Sequence, residues 1–284
     1  MVDNLSGGIL DKINAAGYAN QVVRPEDYYK DGVLYCGRCN TPKEKVVDAF
    51  GSKRTFAIRC TCADIEYERE KKEQLEAERK LRLSRLKTAS LLDVKYHDAN
   101  LDNFIHRQEN EKLFKLCKSY IEDFWSYAER NQGILLYGDV GTGKSYAAAC
   151  IANGLLERGI SVTMTSFVKI LEAIRKGADA EAEILRQIEQ SALVVFDDFG
   201  VERTTDYALE KVYDVIDARY RSKKPMIVTT NVQLRDMARE TDMRYRRIYD
   251  RIFETCYPLE VAGKSFRRIA ANDRYAQMKK VLEG

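Results

Sequence analysis

The run Gly138-Asp139-Val140-Gly141-Thr142-Gly143-Lys144-Ser145 fits the pattern G-x-x-x-x-G-K-[ST]. It narrows the fold to a strand, a phosphate-cradling loop and a helix, because the motif functions only in that setting. Both flanks agree: Gly133–Tyr137 reads as the strand and Tyr146–Leu156 as the helix. Glycines let backbone N–H groups close around phosphate, and the helix N-terminus adds favourable electrostatics. Lys144 is expected to reach the β- and γ-phosphates and Ser145 to hold Mg²⁺, with Tyr146 opening the helix. ATP with Mg²⁺ is the expected ligand.

A chain of 284 residues can bury one large core and a smaller module. Its 45% hydrophobic and 32% charged residues are those of a soluble globular protein. The net charge of +3 gives no global polycation argument for nucleic acid. No apolar run approaches the ~20 residues of a membrane span. Met1–Lys12 lacks the basic-then-apolar pattern of a signal peptide, so a cytoplasmic location is expected. Cysteines there stay reduced or bind metal.

Four of the seven cysteines form close pairs, Cys36-x-x-Cys39 and Cys60-x-Cys62, separated by a mixed loop with Gly51. Two thiolate pairs brought together by a hairpin make a tetrahedral site that suits structural Zn²⁺. Gly37-Arg38 and Thr41-Pro42 read as knuckle-turn residues. The second spacer is tighter than usual, and reduced free thiols are the alternative. Cys117, Cys150 and Cys256 lie singly on apolar stretches and read as core thiols.

Asp64–Lys87 is dense in Glu, Lys and Arg and reads as an exposed helix. Glu68 and Lys72, Glu76 and Lys80, and Glu78 and Arg82 stand at i, i+4. No apolar heptad is sustained, which favours a spacer over a coiled coil. Beyond it, Glu111–Glu129 has an apolar stripe at helical spacing, with Trp125 beside it as a packing residue. Ile160–Thr165 reads as a strand, and Phe167–Lys176 and Glu181–Gln190 as helices around Gly177. Ala192–Phe196 is a fully apolar strand, as in a parallel sheet covered on both faces. It ends in Asp197-Asp198, the acidic pair of a Walker B element. Asp197 is expected to hold Mg²⁺ and Asp198 to orient or deprotonate the attacking water.

Thr205–Tyr220 reads as a helix and Met226–Thr230 as a buried strand ending at Asn231. Asn231 reads either as a contact to the γ-phosphate or attacking water, or as a strand-to-turn Asn. Arg244, Arg246, Arg247 and Arg251 form a basic stretch, and Tyr257–Val261 a fifth strand. Gly263–Arg267 then leads into a helix to Leu282. Tyr96 and Phe104 suit an adenine pocket and ordinary packing equally.

This order resembles the AAA+ helicase loaders of the DnaC/DnaI type. The resemblance rests on Gly138–Ser145, Val194–Glu202 (VVFDDFGVE), Val228–Asn231 (VTTN), Arg247–Ile252 (RIYDRI) and Ser265–Arg267 (SFR), and covers roughly residues 90–275. It implies an α/β fold: an AAA+ P-loop NTPase core with a parallel five-stranded sheet, preceded by a small zinc-binding N-terminal domain and a charged helical linker. The implied domains are 1–64 (zinc-binding, helicase interaction), 65–90 (linker) and 91–284 (ATPase). By the same resemblance Asn231 is sensor 1, Arg251 the finger that enters a neighbour's site, and Arg267 the sensor 2 residue. The helices between Phe167 and Gln190 become the DNA-facing insertion. There Lys169, Arg175, Lys176 and Arg186 are phosphate partners and Phe167 a stacking ring, or ordinary solvated charges.

The function implied is a Mg²⁺-dependent ATPase that self-assembles through its ATP site. It would bind a replicative DNA helicase hexamer and deliver it onto single-stranded DNA. The second Walker B carboxylate is Asp where many relatives have Glu, so slow hydrolysis is expected and a nucleotide-dependent switch fits as well. The IstB-like transposition helpers share the core without an expected zinc module. A non-hydrolysing zinc adaptor and a small-molecule kinase are further alternatives, the latter without a visible acceptor motif.

Overall fold

The computed structural model describes residues 23–49, 52–200 and 205–283. The leader reading of Met1–Lys12, Gly51, and the Val201-Glu202 end of the Walker B element lie outside the described residues. Two compact units divide between Lys80 and Leu81, inside the stretch expected as a linker. Among the described residues, no helix is long and apolar enough to cross a membrane.

The first unit holds two antiparallel hairpins. Strands β1 (Tyr28–Lys30) and β2 (Val33–Tyr35) are joined by Asp31 and Gly32, both at positive φ. That Asp-Gly turn matches strand twist, which is why such hairpins use it. Strands β3 (Glu44–Ala49) and β4 (Ser52–Ala57) form the second hairpin. Helix α1 (Thr61–Ala89) follows and has no buried residue. An ion pair on it joins Arg69 to Glu73 at 3.7 Å, not one of the pairs expected from spacing. Arg82, expected beside Glu78, donates instead to the Gly159 carbonyl.

The second unit is a five-stranded parallel sheet between two layers of helices. Its strands are β5 (Gly133–Tyr137), β6 (Val162–Ser166), β7 (Leu193–Phe199), β8 (Met226–Thr230) and β9 (Cys256–Glu260), in the spatial order β6-β7-β8-β5-β9. Alternation along β5 decides the layers. Ile134 and Leu136 join one core with helices α2 (Glu111–Glu122) and α4 (Lys144–Glu157). Leu135 joins the other with α5 (Phe167–Ile174), α6 (Ala178–Gln190), α7 (Asp206–Arg221) and α9 (Met243–Thr255). Both faces of the inner strands are covered, so β5, the first half of β7 and the start of β8 are apolar runs, whereas edge strand β9 is largely exposed. The helix after β5 packs on one face and those after β6, β7 and β8 on the other, so the switch lies between neighbouring β5 and β8, where open α/β sheets bind ligands.

Two expectations change here. The helix read over Glu111–Glu129 is two helices, because Asp123 (φ −118°, ψ 34°) ends α2 before α3 (Phe124–Glu129) begins. That break turns Phe124 inward and leaves Trp125 61% exposed, so Trp125 does not pack in the core. The remaining helices are α8 (Leu234–Ala238) and α10 (Phe266–Glu283).

Arg219, on α7, is fully buried. Its guanidinium donates to the carbonyls of Ile188, Ser191, Ala192 and Pro225, at 2.6–3.2 Å. It thus ties the end of α6, the start of β7 and the turn before β8 into one joint. Burial pushes its pKa down to about 9, which still leaves it charged at neutral pH.

Candidate functional site

The loop after β5 turns through Gly138, Gly141 and Gly143, all at positive φ. Gly141 has a second constraint: a Cβ there would lie 2.2 Å from Ser265 Oγ. The Phe266 N–H donates to the Gly141 carbonyl at 2.9 Å, which fastens the start of α10 to the loop. Lys144 is buried, and its ammonium donates to the carbonyls of Gly138 (2.8 Å) and Asp139 (2.7 Å) and to Asn231 Oδ1 (2.8 Å). Asn231 therefore sits at the phosphate loop, which the strand-to-turn reading alone did not require. Burial pushes the Lys144 pKa down, and the Asp198 carboxylate is the largest opposing influence.

The acidic pair does not follow the strand but lies within it. Between Phe196 and Phe199 the β7–β8 register shifts, with Phe196 opposite Val228 and Phe199 opposite Thr230. The extra residue makes a bulge, and Asp198 adopts φ 53°. Bulges of this kind re-aim side chains. Thr229 clasps it: its hydroxyl donates to Asp197 Oδ1 at 2.6 Å and accepts from the Asp198 N–H at 2.9 Å. Asp198 lines a 450 Å³ cavity with the phosphate loop, Lys144, Ser145, Asn231 and Arg267. Asp197 is buried and set back, facing a small recess with Asp93, Thr165 and Lys169. Burial, then the neighbouring Asp197 carboxylate, push the Asp198 pKa up.

The far end of the cavity is apolar. Tyr96, Phe104, Ile105, Tyr146 and Phe266 line it, so Tyr96 and Phe104 are cavity walls as well as packed side chains. Asn153, on α4, is buried and donates to the carbonyls of Tyr96 and Ala99, both at 2.8 Å. It hangs this wall from the helix that begins at the phosphate loop. Ile105 and Asn153 were not singled out from the sequence, though the Asn in an apolar helix was a usable signal; Thr229 and Phe266 entered only as members of the VTTN and SFR elements, without a role.

In the first unit, the Sγ atoms of Cys36, Cys39, Cys60 and Cys62 all lie within 4.8 Å of one another. The Cys36–Cys62 and Cys60–Cys62 separations are 3.5 and 3.4 Å. A tetrahedral Zn²⁺ with bonds of about 2.3 Å sets its sulfurs about 3.8 Å apart. The residues present therefore fit zinc. The short second spacer has a simple cause: Cys60 precedes α1 and Cys62 is in its first turn. Gly37 permits a close approach, since a Cβ there would meet the Glu26 carbonyl oxygen at 2.0 Å. The Thr41 hydroxyl and the Cys62 N–H hold Cys39 down to about 5, whereas the hydrogen bond from Cys60 leads the causes that push Cys62 up to about 12. Four crowded thiols resist ionising together unless a cation balances them.

The model of the IstB-like ATP binding protein family matches residues 58–273. The chain belongs to that family. It is 30% identical over 141 residues to the replicative helicase loader DnaC of Escherichia coli (strain K12), covering 48% of this chain and 55% of that protein. The chain thus spans about half the length of that relative. Among solved structures it is similar to DnaI (TM-score 0.52, 21% identity, 61% of this chain and 93% of the other). It is equally similar to the DnaC helicase loader (TM-score 0.52, 23% identity, 60% and 100%). These likenesses show the fold, an AAA+ P-loop core.

Other expected site residues lie away from the cavity. Arg251, on α9, is partly buried against α7. Arg244 is paired with Asp242 and Asp206. Phe167 cannot stack on a base: it is 1% exposed and lies against Phe196 with ring centres 5.0 Å apart. The cause is local, because Ser166 caps α5 and turns its first residue inward. Lys169 is paired with Asp93 and Arg186 with Glu183, while Arg175 and Lys176 are exposed.

Proposed function

We propose that the chain is an ATP-driven loader that binds a replicative DNA helicase and delivers it onto single-stranded DNA. One observation carries the ATPase part: Lys144, Asp198, Asn231 and Arg267 converge on one cavity with an apolar far end. ATP fills it with its base against Tyr96 and Phe104 and its phosphates in the Gly138–Ser145 loop. Ser145 and the set-back Asp197 would hold Mg²⁺, which would draw charge from the phosphates. Asp198 orients the attacking water and takes its proton. Asn231 and Arg267 sense the phosphates, and Arg251 of an adjoining copy completes the site. The first unit, closed by Zn²⁺ on Cys36, Cys39, Cys60 and Cys62, is the helicase-binding element. The protein works in the cytoplasm.

Lys144→Ala should abolish ATP binding without lowering the melting temperature, because the loop carbonyls that it leaves can take water. Fluorescent-nucleotide titration measures this, and retained tight binding would remove the assignment. Hydrolysis should fall on acidification at a pH above that of an ordinary Asp, about 3.9. The sign follows from the raised Asp198 pKa: the base is lost as pH falls through that value. Asp198→Asn should abolish turnover while binding persists; phosphate release that survives this change sinks the role.

The loader role itself is tested with the full chain, a replicative helicase and circular single-stranded DNA. Helicase should reach the DNA only with the protein and ATP present. Failure to form any complex with the helicase would overturn this reading. The family match favours a second reading, a transposition helper. Stable binding to a transposase instead of a helicase would select it.

A further inference from the structure

The guanidinium of Arg251 is gripped along one edge. Its Nε donates to Asp217 Oδ1 at 2.6 Å, and Nη2 lies 2.6 Å from the same oxygen. Nη2 also donates to the Tyr213 hydroxyl at 2.9 Å. The rings of Tyr213 and Tyr220 stand 5.0 and 5.2 Å from the guanidinium carbon. Among the described residues, Nη1 has no hydrogen-bond partner. The grip is itself anchored: Asp217 Oδ2 pairs with Arg221 at 3.0 Å, and the Tyr220 hydroxyl donates to Glu254 at 2.8 Å across the same α7–α9 seam. Arg251 cannot turn without leaving a carboxylate, a hydroxyl and two rings.

We propose that Asp217 is a positioning residue for Arg251, holding the Nε–Nη2 edge so that the Nη1 edge faces the triphosphate of an adjoining copy. This rests on the reading of Arg251 as the residue that completes a neighbour's site. Such an arginine is worth roughly 10³–10⁵ in rate where it operates, and the gain depends on aim. A misplacement of about 1 Å can cost on the order of 10²-fold. A flexible arginine side chain alone does not provide that aim; a carboxylate oxygen that accepts from Nε and lies against Nη2 does. Tyr213 adds a third point and Arg221 keeps the carboxylate from following Arg251 outward.

The test uses the full chain at concentrations where turnover per molecule rises with protein concentration. Asp217→Ala should lower kcat about 10²-fold with KM and single-chain nucleotide affinity unchanged. Asp217→Asn keeps the volume and one acceptor and should fall between it and the parent. Tyr213→Phe, which removes one hydroxyl, should lose several-fold. The double variant Asp217→Ala with Arg251→Ala should be no slower than Arg251→Ala alone, because the two act as a unit. Additive losses, or a lower melting temperature with unchanged kcat, would assign Asp217 to the fold and overturn the proposal. If Arg251→Ala leaves turnover intact, the neighbour-site reading fails first. If Arg251→Ala is slow but all Asp217 and Tyr213 variants are fast, this inference alone fails.

Discussion

Chelating the metal is expected to unfold residues 23–60 while the second unit still binds ATP. The module has little else to hold it. Among its described residues, the buried apolar side chains are Leu34, Cys36 and Cys60. Burying one leucine is worth about 1.5–3 kcal/mol, against about 10–16 kcal/mol for structural zinc in small modules. The buried pair of Lys43 with Asp27, 2.5 Å apart, organises the turn but is weak support for the fold by itself. Elemental analysis should find one zinc per chain. After chelation, thiol titration should gain the four cysteines of the cluster, and limited proteolysis should cut between the hairpins. A metal-free module that stays protease-resistant would show that the hairpins fold without the ion. The pH sign is equally definite: thiolate ligands are lost to protons, so zinc should leave on acidification.

Arg219→Met should be the most damaging single substitution in the second unit that touches no ligand. Methionine fills much of the space but offers no donor to the carbonyls of Ile188, Ser191, Ala192 and Pro225. Each buried carbonyl left unpaired costs about 1–3 kcal/mol; with partial recovery by water the net loss should be about 3–5 kcal/mol. At roughly 2–4 °C per kcal/mol for a unit of this size, the melting temperature should drop about 6–20 °C. Arg219→Lys keeps the charge but cannot span four acceptors, and should be nearly as poor. Amide exchange should speed up first at the end of α6 and the start of β7. A drop below about 2 °C would mean that the joint repacks and the hydrogen bonds are replaceable.

Much of the site was legible because its residues are chemically committed. A glycine needed at positive φ, a lysine after it and a cysteine pair each leave a fixed mark in sequence. The sheet was legible for the same reason: strands covered on both faces are apolar runs. What escaped depends on register and on direction. The bulge at Asp197-Asp198 arises from pairing with β8, so neither its position nor the part played by Thr229 could be read from β7. Phe167 looked available at a strand-to-helix junction, but the cap by Ser166 aims it into the core. Nothing in sequence separates Arg219 from Arg221, two positions along the same helix, yet one is sealed and the other mostly exposed. Asp123 breaks a helix whose periodicity continues across it, which spacing alone cannot register.

The tether from Asn153 gives the cavity an unusual economy of moving parts. Loop, helix α4 and the Tyr96–Ala99 segment are linked as one lever. A shift of α4 at the phosphate end would therefore carry the opposite wall with it. On the ATP reading proposed above, nucleotides differing only at the tail should alter how firmly the base is held.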